Sequence, residues 1–329
     1  PAGWAAAAAV EVERLASFGL DAVSFPIWDL EGVGCLGGAV PTVMSLHTTY
    51  ALSEPFRADW AARPVFSHQH LRPMIAAEGR ALAEAPVVLA NSRAILRDIA
   101  ARYGVDPGER ARLVPHGTAD IGAGSSEPRP PTVLFLGRFE ARKGFDLAVS
   151  AVRGLLSRVP GSRAVFAGDA IGDACGTVAA AADLAALQEH PRVAWPGVLS
   201  REALEDALRS AAVVLFPSRY ESFGLVAIEA FAAGTPVVAL DGSGPSEVIG
   251  HGENGLLVPE DAGALGLADA LVDLLSAPDR CSAMGRAARQ RFEAAFSVDA
   301  MCEAAEEVYR SAALGGSRAA AAPQAESAA

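Results

Sequence analysis

The fold is decided by the stretch Ala212-Val-Val-Leu-Phe-Pro-Ser-Arg-Tyr-Glu221-Ser-Phe-Gly-Leu-Val-Ala-Ile-Glu229-Ala-Phe-Ala-Ala-Gly234-Thr-Pro-Val-Val-Ala239. The apolar runs 212–216 and 236–239 predict two strands, and the Ala-rich segment between them predicts a helix over 225–233. A strand, a helix and a strand in this order indicate a parallel unit with a right-handed crossover. Both runs are apolar throughout, as in strands that are covered on both faces. This stretch therefore predicts α/β architecture.

The same alternation extends along the chain. Further strand candidates are 40–46, 86–90, 132–137, 164–168 and 192–195, and helix candidates are about 92–103, 143–158, 201–210, 262–276 and 279–296. Residues 117–131 are rich in Gly, Ser, Pro and Glu and lack apolar periodicity, which predicts a linker. We therefore expect an α/β unit at 1–116, the linker at 117–131 and a fuller unit at 132–298. A helix at 299–314 and a disordered, low-complexity tail at 315–329 complete the predicted organisation.

Composition excludes several classes of protein. The 329 residues carry 27 Lys and Arg against 39 Asp and Glu, a formal net charge of −12, which argues against nucleic acid as a partner. The four cysteines include no Cys-x-x-Cys pair, so neither a zinc site nor a redox motif is indicated. A reduced cytoplasmic setting fits this cysteine usage. No apolar run approaches the roughly 18 residues of a membrane span, which leaves peripheral contact with the inner face of a membrane as the alternative.

Glu229 is the unusual residue of the opening stretch. An acid among apolar neighbours costs free energy unless something donates hydrogen bonds to it, and a ligand rich in hydroxyls would do so. Gly224 directly precedes the predicted helix, whose N-terminal N–H groups suit a phosphate. Hydroxyls and a diphosphate together indicate a nucleotide sugar. The alternative is a surface helix on which Glu221 and Glu229 are solvated.

A second constellation follows the predicted linker. The run Gly137-Arg138-Phe-Glu-Ala-Arg-Lys143-Gly144 joins a strand to a helix. A lysine near a helix N-terminus is unfavourable for the macrodipole, so the two cations indicate an anion at this position. Arg138 offers a planar donor fork and Lys143 a mobile charge, a pairing that suits a diphosphate. The alternative is a basic surface loop in an acidic protein.

Together these motifs resemble the donor-binding domain of the retaining GT-B glycosyltransferases of family 4. That family shows G-R-x-x-x-x-K-G after the first strand of its second domain, matched here by Gly137–Gly144. It also shows P-S-x-x-E-x-F-G-L before E-A-x-A-x-G-x-P-V-V, matched here by Pro217–Val238. The resemblance implies a GT-B fold, in which two Rossmann-like domains face each other across a cleft.

Carried over residue by residue, the resemblance implies a role for each donor-site position. Arg138 and Lys143 would hold the diphosphate, Glu229 the ribose hydroxyls and Glu221 the transferred sugar. The backbone amides of Phe223, Gly224 and Leu225 would lie near the sugar and the phosphate. Gly168 would lie near the nucleobase, although Ala170 stands where the family commonly has a second glycine, so the base stays open between UDP, GDP and ADP donors.

The first unit matches the family only in part. His47 ends a predicted strand where the family keeps a histidine facing the donor sugar, so a catalytic role in polar contact or charge stabilisation is implied. His116 stands where the family usually has asparagine. Nothing before Asp21 supplies the family's first strand and Gly-rich loop. We therefore expect an incomplete first domain, in a fragment of a longer protein or in a truncated product with impaired catalysis.

The implied reaction transfers a sugar from a nucleotide sugar to an acceptor hydroxyl with retention. No Asp-x-Asp motif is present, so no metal or other cofactor is expected. The acceptor stays open between a glycan, a lipid-linked molecule and a small hydroxyl compound, and the oligomeric state is unknown. One alternative is a non-catalytic module that binds a nucleotide sugar. The other is a phosphorylase or an epimerase on the same scaffold, although the sequence shows no cofactor lysine with a phosphate site.

Overall fold

The computed structural model describes residues 2–125, 127–170, 177–242 and 244–320, with the backbone alone described for 2, 3 and 315–320. The described residues form two compact units. One comprises the residues up to Pro115 together with those from Met301 onward, and the other runs from His116 to Ala300. Each unit contains one parallel sheet with helices. The predicted α/β class is confirmed.

The first unit contains a four-stranded parallel sheet in the order β1-β2-β3-β4. Its strands are β1 Val23–Pro26, β2 Thr42–Leu46, β3 Val87–Ala90 and β4 Ala111–Leu113. Its helices are α1 Ala2–Ala16, α2 Tyr50–Ser53, α3 Ala58–Ala61, α4 Pro64–Phe66, α5 Arg72–Glu84 and α6 Arg93–Tyr103, with a π-helical stretch at Ser67–Leu71. The candidate His47 directly follows β2, at the carboxyl edge of this sheet.

The second unit contains a six-stranded parallel sheet in the order β10-β9-β8-β5-β6-β7. Its strands are β5 Thr132–Leu136, β6 Arg163–Ala167, β7 Val193–Gly197, β8 Val213–Phe216, β9 Val237–Leu240 and β10 Gly255–Val258. Its helices are α7 Phe145–Arg158, α8 Val178–Gln188, α9 Arg201–Ser210, α10 Leu225–Ala232, α11 Pro245–Val248, α12 Gly263–Leu275 and α13 Pro278–Ala295. The opening stretch of the sequence thus forms β8, α10 and β9, as predicted.

Strand order in the second sheet reverses beside β5. The chain runs outward from β5 through β6 to β7 and then returns to place β8 on the other side of β5. In doubly wound sheets, ligands bind outside the carboxyl ends of the strands at such a reversal. A ligand site is therefore expected at the loops that follow β5 and β8.

Two hydrophobic layers cover the second sheet. Phe145 and Val149 of α7 belong to one buried cluster, and Ile228 and Phe231 of α10 belong to the other. Because α10 is buried on its sheet-facing side, its residues have fixed positions. The packing thereby determines where the acid of this helix lies.

Residues 117–131, predicted as a linker, lie along the second unit. The Thr118 amide donates to the Phe296 carbonyl at 2.9 Å, and the Gly124 amide donates to the Ala233 carbonyl at 2.9 Å. Arg129 donates to the Ala211 carbonyl at 2.8 Å. Composition does not predict these contacts, because their partners lie 82 or more residues away in the sequence.

The last helix, α14, spans Val298–Ala320 and belongs to the first unit from Met301 onward. Val308 is buried in a cluster with Val43, Leu89 and Val114 of that unit. The helix continues through Gly315 and Gly316 to Ala320, into the segment for which the sequence predicts disorder. The rest of that segment, 321–329, lies outside the described residues.

Candidate functional site

The loops that follow β5 and β8 bring a lysine and a glutamate together. Lys143 lies in a single 3-10 turn, Ala141–Lys143, and its ammonium group forms an ion pair with Glu221. Arg142 approaches the same carboxylate at 3.7 Å. The side chains of Lys143 and Glu221 are only 17% and 14% exposed, so solvent screens this pair less than a surface pair. Two residues predicted for one site therefore lie in direct contact.

A glycine permits this close approach. Gly144 has a φ of +66°, and a Cβ atom there would lie 1.9 Å from the Pro217 carbonyl oxygen. Any side chain at this position would push the two loops apart. The glycine of the Lys143-Gly144 motif is thus required by backbone packing, whether or not a ligand is bound.

Arg138, the second predicted cation, lies on the more exposed side of the same loop. Its guanidinium group pairs with Glu140 at 2.9 Å, and its side chain is 49% exposed. Exposed pairs of this kind contribute roughly 0–1 kcal/mol, so an anionic ligand could displace Glu140 at little cost. Both predicted cations are therefore paired with nearby carboxylates.

Glu229 lies in α10 and faces a cavity of about 300 Å³ in the second unit. Burial raises the pKa of its carboxyl group, and the positive charge of Lys143 partly opposes this shift. Within the described part of the chain, no hydrogen bond is made to either carboxylate oxygen. The cavity is lined by Gly117, Thr118, Ala119, Ile121, Arg201, Leu204, Glu205, Leu208, Glu229 and Val298. A half-buried acid that the protein leaves without donors is suited to receive them from a ligand.

The N-terminus of α10 lies between the two acids. Gly224 caps this helix with a φ of +117°, and Phe223 is buried against the rings of His116 and Phe296 at centroid distances of 5.2 and 5.9 Å. The first amides of a helix, here starting at Leu225, have no acceptor within the helix. The amides of Phe223, Gly224 and Leu225, predicted to lie near the sugar and the phosphate, therefore belong to a backbone segment that packing holds in place.

Gly168 has a structural requirement of its own. Its φ is +147°, and a Cβ atom there would lie 1.9 Å from the Gly137 carbonyl oxygen. The neighbouring Phe139 amide donates to the Asp169 carbonyl at 2.8 Å. Gly168 therefore lets the loop after β6 cross the loop that carries Arg138. The structure explains this glycine without a nucleobase.

His47 lies in the first unit, immediately after β2. Its Nε2 atom lies 3.1 Å from the Ser45 hydroxyl oxygen. Burial lowers the pKa of the imidazole, which favours the neutral ring at pH 7. A neutral ring can offer one donor and one acceptor, as polar contact with a ligand requires.

Three residues of the second unit were not singled out from the sequence. Arg219 forms a bidentate pair with Asp146, and Arg142 donates to the Tyr220 carbonyl at 3.2 Å. The signal in the sequence was that Arg142 and Arg219 are charged residues at x positions of the two motifs. Sequence alone could not show which acid pairs with which base.

Comparison with known proteins places the site in a family. Residues 119–291, more than half of the chain, match the family model described as glycosyl transferases group 1. The chain belongs to this family. Residues 3–119 match the model of glycosyltransferase family 4. The loops that follow β5 and β8, at the reversal of strand order, both lie inside the first match. The resemblance stated from the sequence is therefore confirmed.

Curated relatives in this family are longer than the chain. The D-inositol 3-phosphate glycosyltransferase of Nocardia farcinica is 36% identical over 260 residues, which cover 75% of the chain and 56% of the relative. That of Kineococcus radiotolerans is 34% identical over 308 residues, which cover 82% of the chain and 66% of the relative. The chain thus spans between 56% and 66% of the lengths of these two relatives.

Solved structures share the fold. Sucrose-phosphate synthase of Thermosynechococcus elongatus superposes with a TM-score of 0.74 at 25% identity, covering 92% of the chain and 76% of the synthase. Anabaena HepE in complex with UDP and glucose gives a TM-score of 0.65 at 20% identity, covering 83% of the chain and 72% of HepE. With two parallel-sheet α/β units, this group 1 chain has the GT-B fold, as predicted.

The described ranges contain neither a membrane-spanning helix nor a cluster of metal-ligand side chains. No helix in them is both long and apolar enough to cross a bilayer. Nor do these ranges contain a group of three or more His, Cys, Asp or Glu side chains suitable for a metal ion.

Proposed function

We propose that this chain carries the donor site of a glycosyltransferase that moves a sugar from a nucleotide sugar to an acceptor hydroxyl. One observation carries the proposal. At the switch point of the second sheet, Lys143 meets Glu221 in front of α10, while Glu229 on that helix faces a cavity and receives no hydrogen bond from the described residues. To bind a nucleotide sugar, a site needs a cation for the diphosphate and an acid that accepts hydrogen bonds from the hydroxyls.

Each residue has a proposed role. Lys143 and Arg138 bind the diphosphate, for which both must exchange a carboxylate partner for phosphate oxygens. Glu229 accepts hydrogen bonds from the ribose. Once Lys143 turns to the diphosphate, Glu221 becomes free to bind the hydroxyls of the transferred sugar. The amides at Phe223, Gly224 and Leu225 donate to the phosphate end.

The base and the acceptor are proposed as classes. HepE was solved with UDP-glucose and TarM of S. aureus with UDP, which supports a uridine nucleotide, with GDP and ADP as alternatives. The curated relatives are named for inositol phosphate, which supports a small hydroxyl compound ahead of a glycan or a lipid-linked acceptor. We expect a cytoplasmic protein, with peripheral membrane contact if the acceptor is lipid-linked.

We also propose that transfer proceeds with retention and without a metal. Arg138, Lys143 and the N-terminus of α10 can together neutralise the leaving diphosphate. His47, neutral at pH 7, is assigned a polar contact with the donor sugar. Transfer that survives a chelator unchanged would agree with this assignment, and transfer restored only by a divalent cation would reject it.

Binding by calorimetry tests the donor site directly. UDP, GDP, ADP and their glucose or mannose conjugates would be titrated into the wild-type chain and into Lys143→Ala. We expect one nucleotide to bind the wild type and to bind the variant roughly 30- to 150-fold more weakly, because a charge-assisted contact is lost. Arg163→Ala serves as the control. Arg163 begins β6, so it lies at the amino-terminal ends of the strands, away from the carboxyl ends that carry the site. Equal affinities of wild type and Lys143→Ala would refute the site.

A second candidate function is a non-catalytic module that binds the nucleotide sugar. Its binding site would use the same residues, with Lys143 paired to Glu221 and Glu229 facing the cavity. Both candidates predict donor binding, so the deciding measurement is donor hydrolysis or transfer beside the full-length Nocardia farcinica relative. Binding without turnover in this chain would favour the module.

A further inference from the structure

The two loops of the donor site are joined by contacts that lie outside the predicted roles. Arg219, in the loop after β8, forms two parallel hydrogen bonds with Asp146 of α7, at 2.7 Å each. The two side chains are 26% and 12% exposed. A bidentate pair in such a half-buried position is more specific and stronger than a surface pair.

Backbone contacts extend this connection in both directions. The Arg219 guanidinium also donates to the Ala141 carbonyl at 2.6 Å, and the Arg219 amide donates to the Arg142 carbonyl at 2.9 Å. In return, Arg142 donates to the Tyr220 carbonyl at 3.2 Å. Each loop therefore holds the backbone of the other.

The charge of Arg219 is committed to this connection. Its hydrogen bonds to Asp146 are the main reason that the pKa of the guanidinium is raised above its ordinary value. Asp146 lies in the first turn of α7, where the helix dipole favours an acid. The pair thus joins the loop after β8 to a helix whose first residue, Phe145, is 1% exposed in the core.

A bound donor affects the two ion pairs differently. A diphosphate competes with Glu221 for Lys143, so the direct pair between the two loops weakens when the ligand arrives. The pair between Arg219 and Asp146 contains neither of those residues and persists.

Other contacts must therefore keep Glu221 in place beside the sugar. Arg142 lies 3.7 Å from its carboxylate, and the Gly244 amide donates to its carbonyl at 2.9 Å. The contacts of Arg219, two residues before Glu221, hold this loop against the loop of Lys143.

We propose that Arg219 and Asp146 are positioning residues, whose ion pair clamps the loop of Glu221 to the loop of Lys143. This inference rests on the donor site proposed above. In this proposal, Glu221 recognises the transferred sugar only while the clamp holds it in position. Arg138, Lys143 and Glu229 bind the nucleoside diphosphate independently of the clamp.

Asp146→Asn in the full chain tests the clamp with two measurements. The first is hydrogen exchange of the peptide that contains Arg219, whose amide donates across the two loops; we expect exchange to accelerate by roughly tenfold or more. The second is calorimetry with UDP and UDP-glucose, or with the GDP pair if the wild type prefers GDP. We expect the affinity for the free nucleotide to stay within about threefold and the preference for the sugar conjugate to disappear.

Matched variants separate the clamp from general loss of an ion pair. Asp269→Asn removes another Arg–Asp pair of the same unit, Arg158–Asp269 at 2.5 Å, and should change neither measurement. Arg219→Lys keeps the charge but loses the two-pronged geometry. It should fall between wild type and Asp146→Asn, which also covers the case in which Asp146→Asn folds poorly.

The outcomes distinguish the clamp from the donor site. A wild-type chain that binds none of the nucleotides rejects the donor site and the positioning role with it. Wild-type binding, combined with unchanged exchange in Asp146→Asn or with equal losses for UDP and UDP-glucose, overturns the positioning role alone.

Discussion

Replacing Glu229 by glutamine should weaken nucleotide binding and, at the same time, stabilise the ligand-free protein. The carboxylate faces a cavity of about 300 Å³ and receives no hydrogen bond from the described residues. Two ribose hydroxyls can donate to it, and a hydrogen bond to a charged group contributes roughly 1.5–3 kcal/mol. Glutamine keeps one neutral acceptor, so the expected loss is about 2–3 kcal/mol, or roughly 30- to 150-fold in Kd.

The stability change has the opposite sign. Burial raises the pKa of Glu229 in the folded state, so the folded protein binds its proton more tightly than the unfolded chain does. The ionised carboxylate therefore costs stability above the folded pKa, and this cost disappears below the unfolded value of about 4.3. Glutamine removes the cost. The Tm of Glu229→Gln should exceed that of the wild type at pH 7, and the difference should vanish near pH 4.

Glu205→Gln provides the matched control, because Glu205 lines the same cavity. Its carboxylate is already paired with Arg201 at 3.0 Å and lies 3.6 Å from Arg209. Its loss should leave the Tm at pH 7 equal or lower. Calorimetry and thermal unfolding at both pH values complete the assay. Nucleotide affinity equal to the wild type, or a Tm that falls as in the control, would refute the reasoning for Glu229.

Three further changes have defined expectations. Lys143→Ala should weaken diphosphate binding in calorimetry by about 2–3 kcal/mol and make the remaining affinity less sensitive to salt. Gly144→Ala should lower the free energy of unfolding in urea by more than about 2 kcal/mol, because its Cβ would meet a carbonyl oxygen. Gly161→Ala, at a φ of +82° with nothing within 4 Å, should cost only about 1 kcal/mol, and equal losses would contradict the packing argument. Asp120→Asn should cost up to about 1 kcal/mol at pH 7, since the carboxylate is 53% exposed. Its hydrogen bond with Arg289 lowers the pKa of Asp120 to about 2, so this difference should disappear as the pH falls through that value, and a pH-independent difference would argue against the pairing.

Several elements were predictable because their signals are local. The strands β5 and β8 appear in the sequence as short, continuously apolar runs, and α10 appears as an Ala-rich segment between Gly224 and Gly234. Helices α5 and α8 were not predicted, since their apolar residues are sparse or are replaced by alanine. The chain 117–131 was predicted as a linker, yet it is bonded to the second unit through partners that are distant in sequence.

The sequence by itself determined the residue types of the site and their places on strand ends and helices. The motifs around Lys143, Glu221 and Glu229 indicate a nucleotide sugar from residue types and spacing alone. These signals suffice because a strand, a turn and a helix each depend on neighbouring residues.

Only the tertiary structure decided which of these residues meet. The order of the strands places β8 beside β5, although α7, α8 and α9 lie between them in the chain. That order brings Lys143 to Glu221 and joins Arg219 to Asp146, so it creates both the site and the clamp. The physical reason is that strand pairing and helix packing depend on the whole buried core, and local periodicity carries no record of that arrangement.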